Sequence, residues 1–290
     1  MAALAPISRI AVIGAGQMGL GIAFVAAVHA KLPLTIHDPS PSVLSSAMKK
    51  FEGLLSRDVE KNRMTSEFKE NVLSRVRGVQ SDGTAGMDEV DLVIEAIPEI
   101  PALKTNLFIS LAAQLPSPVT LASNTSSISI TRLAAAAAKK SGKESAARVV
   151  GKLCEIIPAL QTSTFTLSRA RSFGEACGKV VTQSKDSPGF IANAILMPMI
   201  NEAVMVLEKG VATAEDIDTT FKLGMGHPMG PLALADLIGL DTCLAVQRVL
   251  FEESGDSKYR PAGLLSRMVD AGWVGKKAGK GFYEYPSQRS

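Results

Sequence analysis

Cysteine is scarce: Cys154, Cys177 and Cys243 are the three in 290 residues, far apart, with no CxxC pair and no His at ligand spacing. That excludes a disulfide framework, argues against a zinc site and fits a reducing compartment. Neither sign of charge dominates, Lys and Arg exceeding Asp and Glu by only three. So slight a surplus advertises no nucleic-acid partner, although a locally basic groove for a phosphorylated small molecule stays open. Met1 to Arg9 has no basic stretch leading into an apolar run, so no export signal is expected, and it is too short and Arg-poor for a transit peptide. Ile10 to Ala30 carries no Asp, Glu, Lys or Arg and is long enough to span a membrane, but Gly14, Gly16, Gly19 and Gly21 break it into a strand, turn and helix. No membrane association is expected.

What is present suits a globular chain. A hydrophobic content of 46%, with 24 Gly and 15 Pro, rules out collagen-like and disordered classes, and the length suits two modest domains. Short β-branched runs alternate with helical periodicity: Ile10–Ile13, a helix over 17–30, Leu34–Ile36, helices within 42–75, strand 91–94, helix 102–114, strand 119–122 and helix 129–138. This βαβ rhythm predicts an α/β, Rossmann-type, mostly parallel sheet with helices on both faces. After the turn-rich Ser184 to Gly189 the texture is all-α, with helices expected over 190–209, 213–223, 231–253 and 262–271. The expected domains are therefore 1–184 and 185–290.

Gly14-Ala15-Gly16-Gln17-Met18-Gly19 matches GxGxxG between a strand and a helix. The first glycine permits the tight turn, the second lets backbone N–H groups approach a pyrophosphate, and the third lets helix and strand pack closely. Asp38, 19 residues beyond Gly19 at the end of the second strand, suits an adenosine ribose and would repel a 2′-phosphate, so NAD is favoured over NADP. The plainer alternative is a glycine turn with Asp38 capping the helix near Pro39.

Four words of sequence and a long tail then resemble the L-3-hydroxyacyl-CoA dehydrogenase family, including its short-chain 3-hydroxybutyryl-CoA members. They are Gly14–Gly19, Glu95-Ala96-Ile97-Pro98-Glu99, Ser123-Asn124-Thr125-Ser126-Ser127, Lys185 to Asn193, and the stretches Gly224 to Asp241 and Gly275 to Tyr283. The resemblance implies an NAD-binding Rossmann domain, a helical domain that dimerises, and reversible hydride transfer from C3 of a 3-hydroxyacyl-CoA, as in fatty-acid β-oxidation. It implies that Ala96, Glu99, Lys104, Ser126 and Lys277 meet NAD, that Ser126 and Asn193 hold the reacting oxygen, and that Lys61 meets the phosphates of CoA. Simple helix capping by Ser126 and a merely exposed Asn193 are the alternatives.

The active site is where this chain departs from the family. The family pattern has a strand ending in Gly, a segment similar to HFxNPxP that carries the catalytic His, and then Lys-Leu-Val-Glu. Here Arg148-Val149-Val150-Gly151 passes directly to Lys152-Leu153-Cys154-Glu155, so roughly ten residues are missing. Glu155 matches the Glu that orients the base, but the His it would orient is not in the sequence. None of His29, His37 and His227 is a convincing substitute: the first ends a helix, the second adjoins Asp38, and the third lies in a turn. Two antiparallel strands need a connection, so the sequence predicts either an intervening segment that bears the base or, if the segment is deleted, one continuous strand or a rearranged sheet. A non-catalytic NAD- or CoA-binding dimer and a dehydrogenase of another hydroxy acid are the competing functions. The ending Ser287 to Ser290 is not the peroxisomal SKL signal, which leaves the cytoplasm as the expected compartment and the mitochondrial matrix as the alternative.

Overall fold

A computed structural model describes residues 7–286 except 82, 84 and 88, so the last four residues lie outside it. The chain divides into two compact units, Met1–Ser187 and Pro188–Ser290.

The first unit is an eight-stranded sheet in the order β3-β2-β1-β4-β5-β6-β7-β8. Its strands are β1 (Ile10–Ile13), β2 (Leu34–Asp38), β3 (Val76–Gln80), β4 (Leu92–Glu95), β5 (Thr120–Ser123), β6 (Val149–Gly151), β7 (Glu155–Pro158) and β8 (Thr182–Gln183). The first six run parallel, as the βαβ rhythm requires, and β7 reverses against β6. Strands β1, β4, β5 and β6 are buried throughout, as expected where helices cover both faces. The helices are α1 (Gln17–Val25), α2 (Pro41–Glu60), α3 (Ser66–Leu73), α4 (Pro101–Gln114), α5 (Ile130–Ser141), α6 (Lys143–Ala146) and α7 (Thr164–Ala176). β3 is absent from the sequence expectations: Arg77, Gly78 and Gln80 are exposed at the sheet edge, so the strand has no apolar run to announce it.

Two further expectations are corrected. The boundary after residue 184 moves to Ser187, because Asp186 belongs to the first unit. Its carboxylate accepts from Ile130 N–H (3.0 Å), Thr131 N–H (2.7 Å) and Ser129 Oγ (2.8 Å), capping α5. The join at Gly151 needs neither an extra segment nor a rearranged sheet. β6 and β7 pair antiparallel, Val150 with Pro158 and Gly151 with Ile157, and the reversal is made by Lys152, Leu153 and Cys154, with Lys152 at φ 33°. Residues expected to extend the second strand are spent on the turn.

In the second unit the helices are α8 (Ala192–Glu208), α9 (Ala214–Thr219), α10 (Pro231–Ile238), α11 (Leu240–Ser254) and α12 (Gly263–Asp270). The single helix expected over 231–253 is two, broken at Gly239 with φ 103°. Met197, Val204, Leu232, Leu244 and Leu265 centre its core. Two buried aspartates fasten its last stretch. Asp236 accepts from the N–H groups of Phe282 and Tyr283 and from Tyr285 OH, each at 3.0 Å. Asp218 accepts from Leu232 N–H, Ala233 N–H and Tyr283 OH, each at 2.8 Å.

His37, fully buried in β2, pairs Nε2 with Thr35 Oγ1 at 2.7 Å, and burial lowers its pKa from 6.5 to about 4. Between those values the unfolded chain binds a proton that the folded chain refuses, so stability falls as pH drops through that window. The expected loss is about 2–3 kcal/mol. Urea denaturation of the wild type and of His37→Leu at pH 7 and pH 4.5 checks this; equal pH dependence in the two proteins counts against it.

Candidate functional site

The glycine loop after β1 is shaped by its neighbours. Gly14 has φ 103°, and a Cβ there would lie 2.5 Å from the backbone oxygen of Ala96, so the turn must pass close to the end of β4 without a side chain. A Cβ on Gly19 would lie 1.8 Å from Gly14 O, which fixes the close packing of α1 on the loop. A Cβ on Gly16 would meet nothing within 4 Å, so the space beside it is open. Gly16 is the N-cap of α1 and no side chain caps it. The first-turn N–H groups therefore have no acceptor within the helix and face a place suited to phosphate.

Asp38 combines both of its expected roles. Oδ1 accepts from Ser40 N–H at 2.9 Å at the start of α2, and Oδ2 accepts from Ala15 N–H at 3.0 Å in the glycine loop. Each oxygen keeps a second lone pair for a ribose hydroxyl. A cleft of about 820 Å³ joins these parts, lined by Gly14, Gly16, Gln17, Met18, Asp38 and Ala96 among others. Met18, 58% exposed, lies at the loop's outer edge. The opposite wall is a face of α4, Leu103, Asn106, Leu107 and Ser110, at spacings of 3, 4 and 7. Sequence reasoning missed this wall, although its helical spacing was the available signal; α4 is apolar on several sides, so no face stood out. The cradle, the open phosphate position and the acidic end of β2 fit NAD.

Glu99 and Lys104 do not line that cleft. Lys104, 1% exposed, donates to Glu95 Oε1 (2.5 Å) and Ile97 O (3.2 Å) and pairs with Glu99 Oε2 (3.1 Å). Glu95, 0% exposed, accepts also from Ile97 N–H (2.8 Å) and Ser123 Oγ (2.6 Å). Two neighbouring carboxylates draw the ammonium inward, because a buried charge without a partner is far more costly than a paired one. Glu99 Oε1 in turn accepts from Thr125 Oγ1 (2.5 Å), Ser126 N–H (2.9 Å), Ser127 N–H (3.1 Å) and Ser127 Oγ (2.9 Å). Burial pushes the Glu99 carboxyl up, but the Lys104 ammonium and these hydrogen bonds outweigh it and hold it below the usual range. The pair of residues thus fixes the turn that carries Ser126, and with it the ends of β4 and β5.

Glu155 opens β7, half-buried, paired in register with Thr182, and Lys61 is the exposed C-cap of α2. In the second unit Asn193 lies in the first turn of α8, half-buried. Lys277 there is held by an ion pair with Asp241 Oδ2 at 2.7 Å.

The 3-hydroxyacyl-CoA dehydrogenase NAD-binding domain model matches residues 9–187, and the C-terminal domain model of the same family matches residues 189–285. The chain belongs to the 3-hydroxyacyl-CoA dehydrogenase family. It is 44% identical over 294 residues to a probable 3-hydroxybutyryl-CoA dehydrogenase of Bacillus subtilis, covering 98% of this chain and 99% of that one. A mitochondrial hydroxyacyl-coenzyme A dehydrogenase of Sus scrofa is 36% identical, covering 96% and 91%. A crystal structure of (S)-3-hydroxybutyryl-CoA dehydrogenase from Ralstonia eutropha superposes with a TM-score of 0.89 at 40% identity, over 97% of this chain and all of that one. The Bacillus alignment is longer than the 290 residues of this chain, so that relative holds residues that this chain lacks. Among the described residues no helix is long and apolar enough to cross a membrane.

With the family established and its NAD-binding domain present, Asp38 carries a clear expectation. Hydrogen bonds to a charged group contribute about 1.5–3 kcal/mol, so Asp38→Ala is expected to weaken NAD binding by about 10- to 100-fold in calorimetry. Unchanged affinity sinks the ribose assignment.

Proposed function

We propose that this chain catalyses the reversible NAD-dependent oxidation of L-3-hydroxyacyl-CoA to 3-oxoacyl-CoA. The observation that carries this is the NAD cradle, Gly14 to Gly19 with Asp38, inside a chain that matches both domains of the family nearly end to end. When bound, NAD accepts or returns the hydride. The chain's own part is to orient: Ser126, fixed by Glu99, and Asn193 hold the reacting oxygen, and Glu155 steadies the group that moves its proton. Lys61 meets the CoA phosphates and Lys277 meets NAD, while Glu99 and Lys104 act by holding the turn that carries Ser126. The helical unit forms a homodimer. The reaction belongs to fatty-acid β-oxidation or related short-chain acyl-CoA metabolism, in the cytoplasm by likeness to the bacterial relatives, the mitochondrial matrix being the alternative that the Sus scrofa relative offers.

The test is reduction of acetoacetyl-CoA followed by loss of NADH absorbance, with free hydroxy acids and longer acyl chains as comparison substrates. Turnover of free acids alone excludes the acyl-CoA assignment. A second reading is favoured by one observation, the tight turn at Lys152–Cys154, which leaves Glu155 without the family's His. Binding of NAD and acyl-CoA in calorimetry with no turnover in either direction would select a binding protein.

A further inference from the structure

Four parallel strands end in register, and the first residue beyond each is fixed by the same bond. Gly14 N–H donates to His37 O, Ala96 N–H to Ile13 O, Asn124 N–H to Glu95 O and Lys152 N–H to Ser123 O, all at 2.8 Å. These residues form a row along the carboxyl edge of the sheet, the edge at which open α/β sheets bind their ligands. Gly14 marks the phosphate end of the row. Three interstrand spacings set Lys152 about 14 Å from it, beyond Ala96 and Asn124 on the side where the Ser126 turn stands. Of the four, Lys152 is the one with an ionisable side chain. It is half-buried, and its φ of 33° is a conformation that side-chain-bearing residues rarely adopt and that clusters at functional sites. A glycine would make the same turn without strain. The shortened β6–β7 connection moves this lysine out of the strand that the sequence suggests and onto the edge where the absent segment would otherwise begin.

We propose that Lys152 is a catalytic residue of this chain, its ammonium giving the proton to the substrate oxygen during reduction of a 3-oxoacyl-CoA. This rests on the reading that the chain turns over acyl-CoA substrates. Bound NADH supplies the hydride to C3, and the carbonyl π pair moves onto oxygen. That oxygen takes a proton from Lys152 Nζ, one N–H bond breaking as one O–H bond forms, and the neutral amine regains a proton from water. Oxidation runs the same transfers in reverse, with the free amine as base.

Two measurements test it. Reductive methylation of Lys152, read by peptide mass in NAD-loaded protein, is expected to slow at least about 5-fold when acetoacetyl-CoA is added. In steady-state reduction, Lys152→Met is expected to lower kcat at least about 10-fold with NADH affinity unchanged. Lys152→Arg, which keeps the charge but does not release a proton, is expected to retain the wild-type melting temperature and NADH affinity without restoring kcat. Equal methylation with and without substrate, or full kcat in Lys152→Met beside an active wild type, overturns the role of Lys152 and leaves the dehydrogenase reading intact. A wild type that binds NADH but reduces no acetoacetyl-CoA overturns the dehydrogenase reading, and the role of Lys152 with it.

Discussion

Inserting the corresponding segment of the Bacillus subtilis relative between Gly151 and Lys152 is expected to raise kcat for acetoacetyl-CoA reduction at least about 100-fold while leaving NADH affinity within about 3-fold. A positioned general acid or base contributes on the order of 10²–10⁴ in rate, and a His works near its ordinary pKa at neutral pH. The fold can accept the insertion because the Val150–Pro158 and Gly151–Ile157 pairs hold β6 and β7 together below the turn. Lengthening a surface loop costs only about 0.6 kcal/mol per doubling, and release of the left-handed Lys152 offsets part of that. The NAD cradle is built from β1, β2 and β4, so cofactor affinity reports independently that the sheet survived. A folded, NADH-binding insertion variant with no gain in kcat would show that Glu155 does not serve a base at this turn.

Lys104→Met is expected to destabilise the first unit by about 3–5 kcal/mol, because it leaves a carboxylate buried without its cation. Glu95 is fully buried between Lys104, Ser123 and Ile97 N–H, and Glu99 loses its ammonium partner in the same step. Urea denaturation measures the loss, and Lys104→Met combined with Glu95→Gln is expected to recover most of it. A loss under about 1 kcal/mol in the single variant would mean that the hydrogen bonds from Ser123 and Ile97 suffice alone. The Glu99 contribution has a definite sign with pH. Its lowered carboxyl pKa stabilises the fold above the ordinary carboxylate range and is lost as pH falls through it.

The parts that could be read from sequence are those fixed by local spacing. The strand, the three glycines and Asp38 lie within 29 residues, and each has a backbone reason for its place that a one-dimensional pattern carries. Lys104, expected to meet NAD, is instead buried in an ion pair that the sequence did not show, since its partners Glu95 and Glu99 are brought to it only when the end of β4 folds over α4. The β6–β7 turn was misread because Leu153 and Cys154 are apolar and look like strand. Only the pairing of Gly151 with Ile157 reveals that the chain reverses within residues 152–156. Gly239 was hidden in an otherwise helical run because one glycine at φ 103° leaves the apolar periodicity on either side intact.

The two aspartates that fasten the end of the second unit also set an order of events at the ribosome. Asp218 and Asp236 emerge well before Phe282, Tyr283 and Tyr285; Asp218 already has the N–H groups of Leu232 and Ala233, while Asp236 waits for the donors of the last stretch. The packing of that last stretch onto the helices before it is completed only when residues 282–285 reach them, whereas the strand β8 of the first unit ends at Gln183. The first unit can therefore mature ahead of the second, in the order in which their parts emerge.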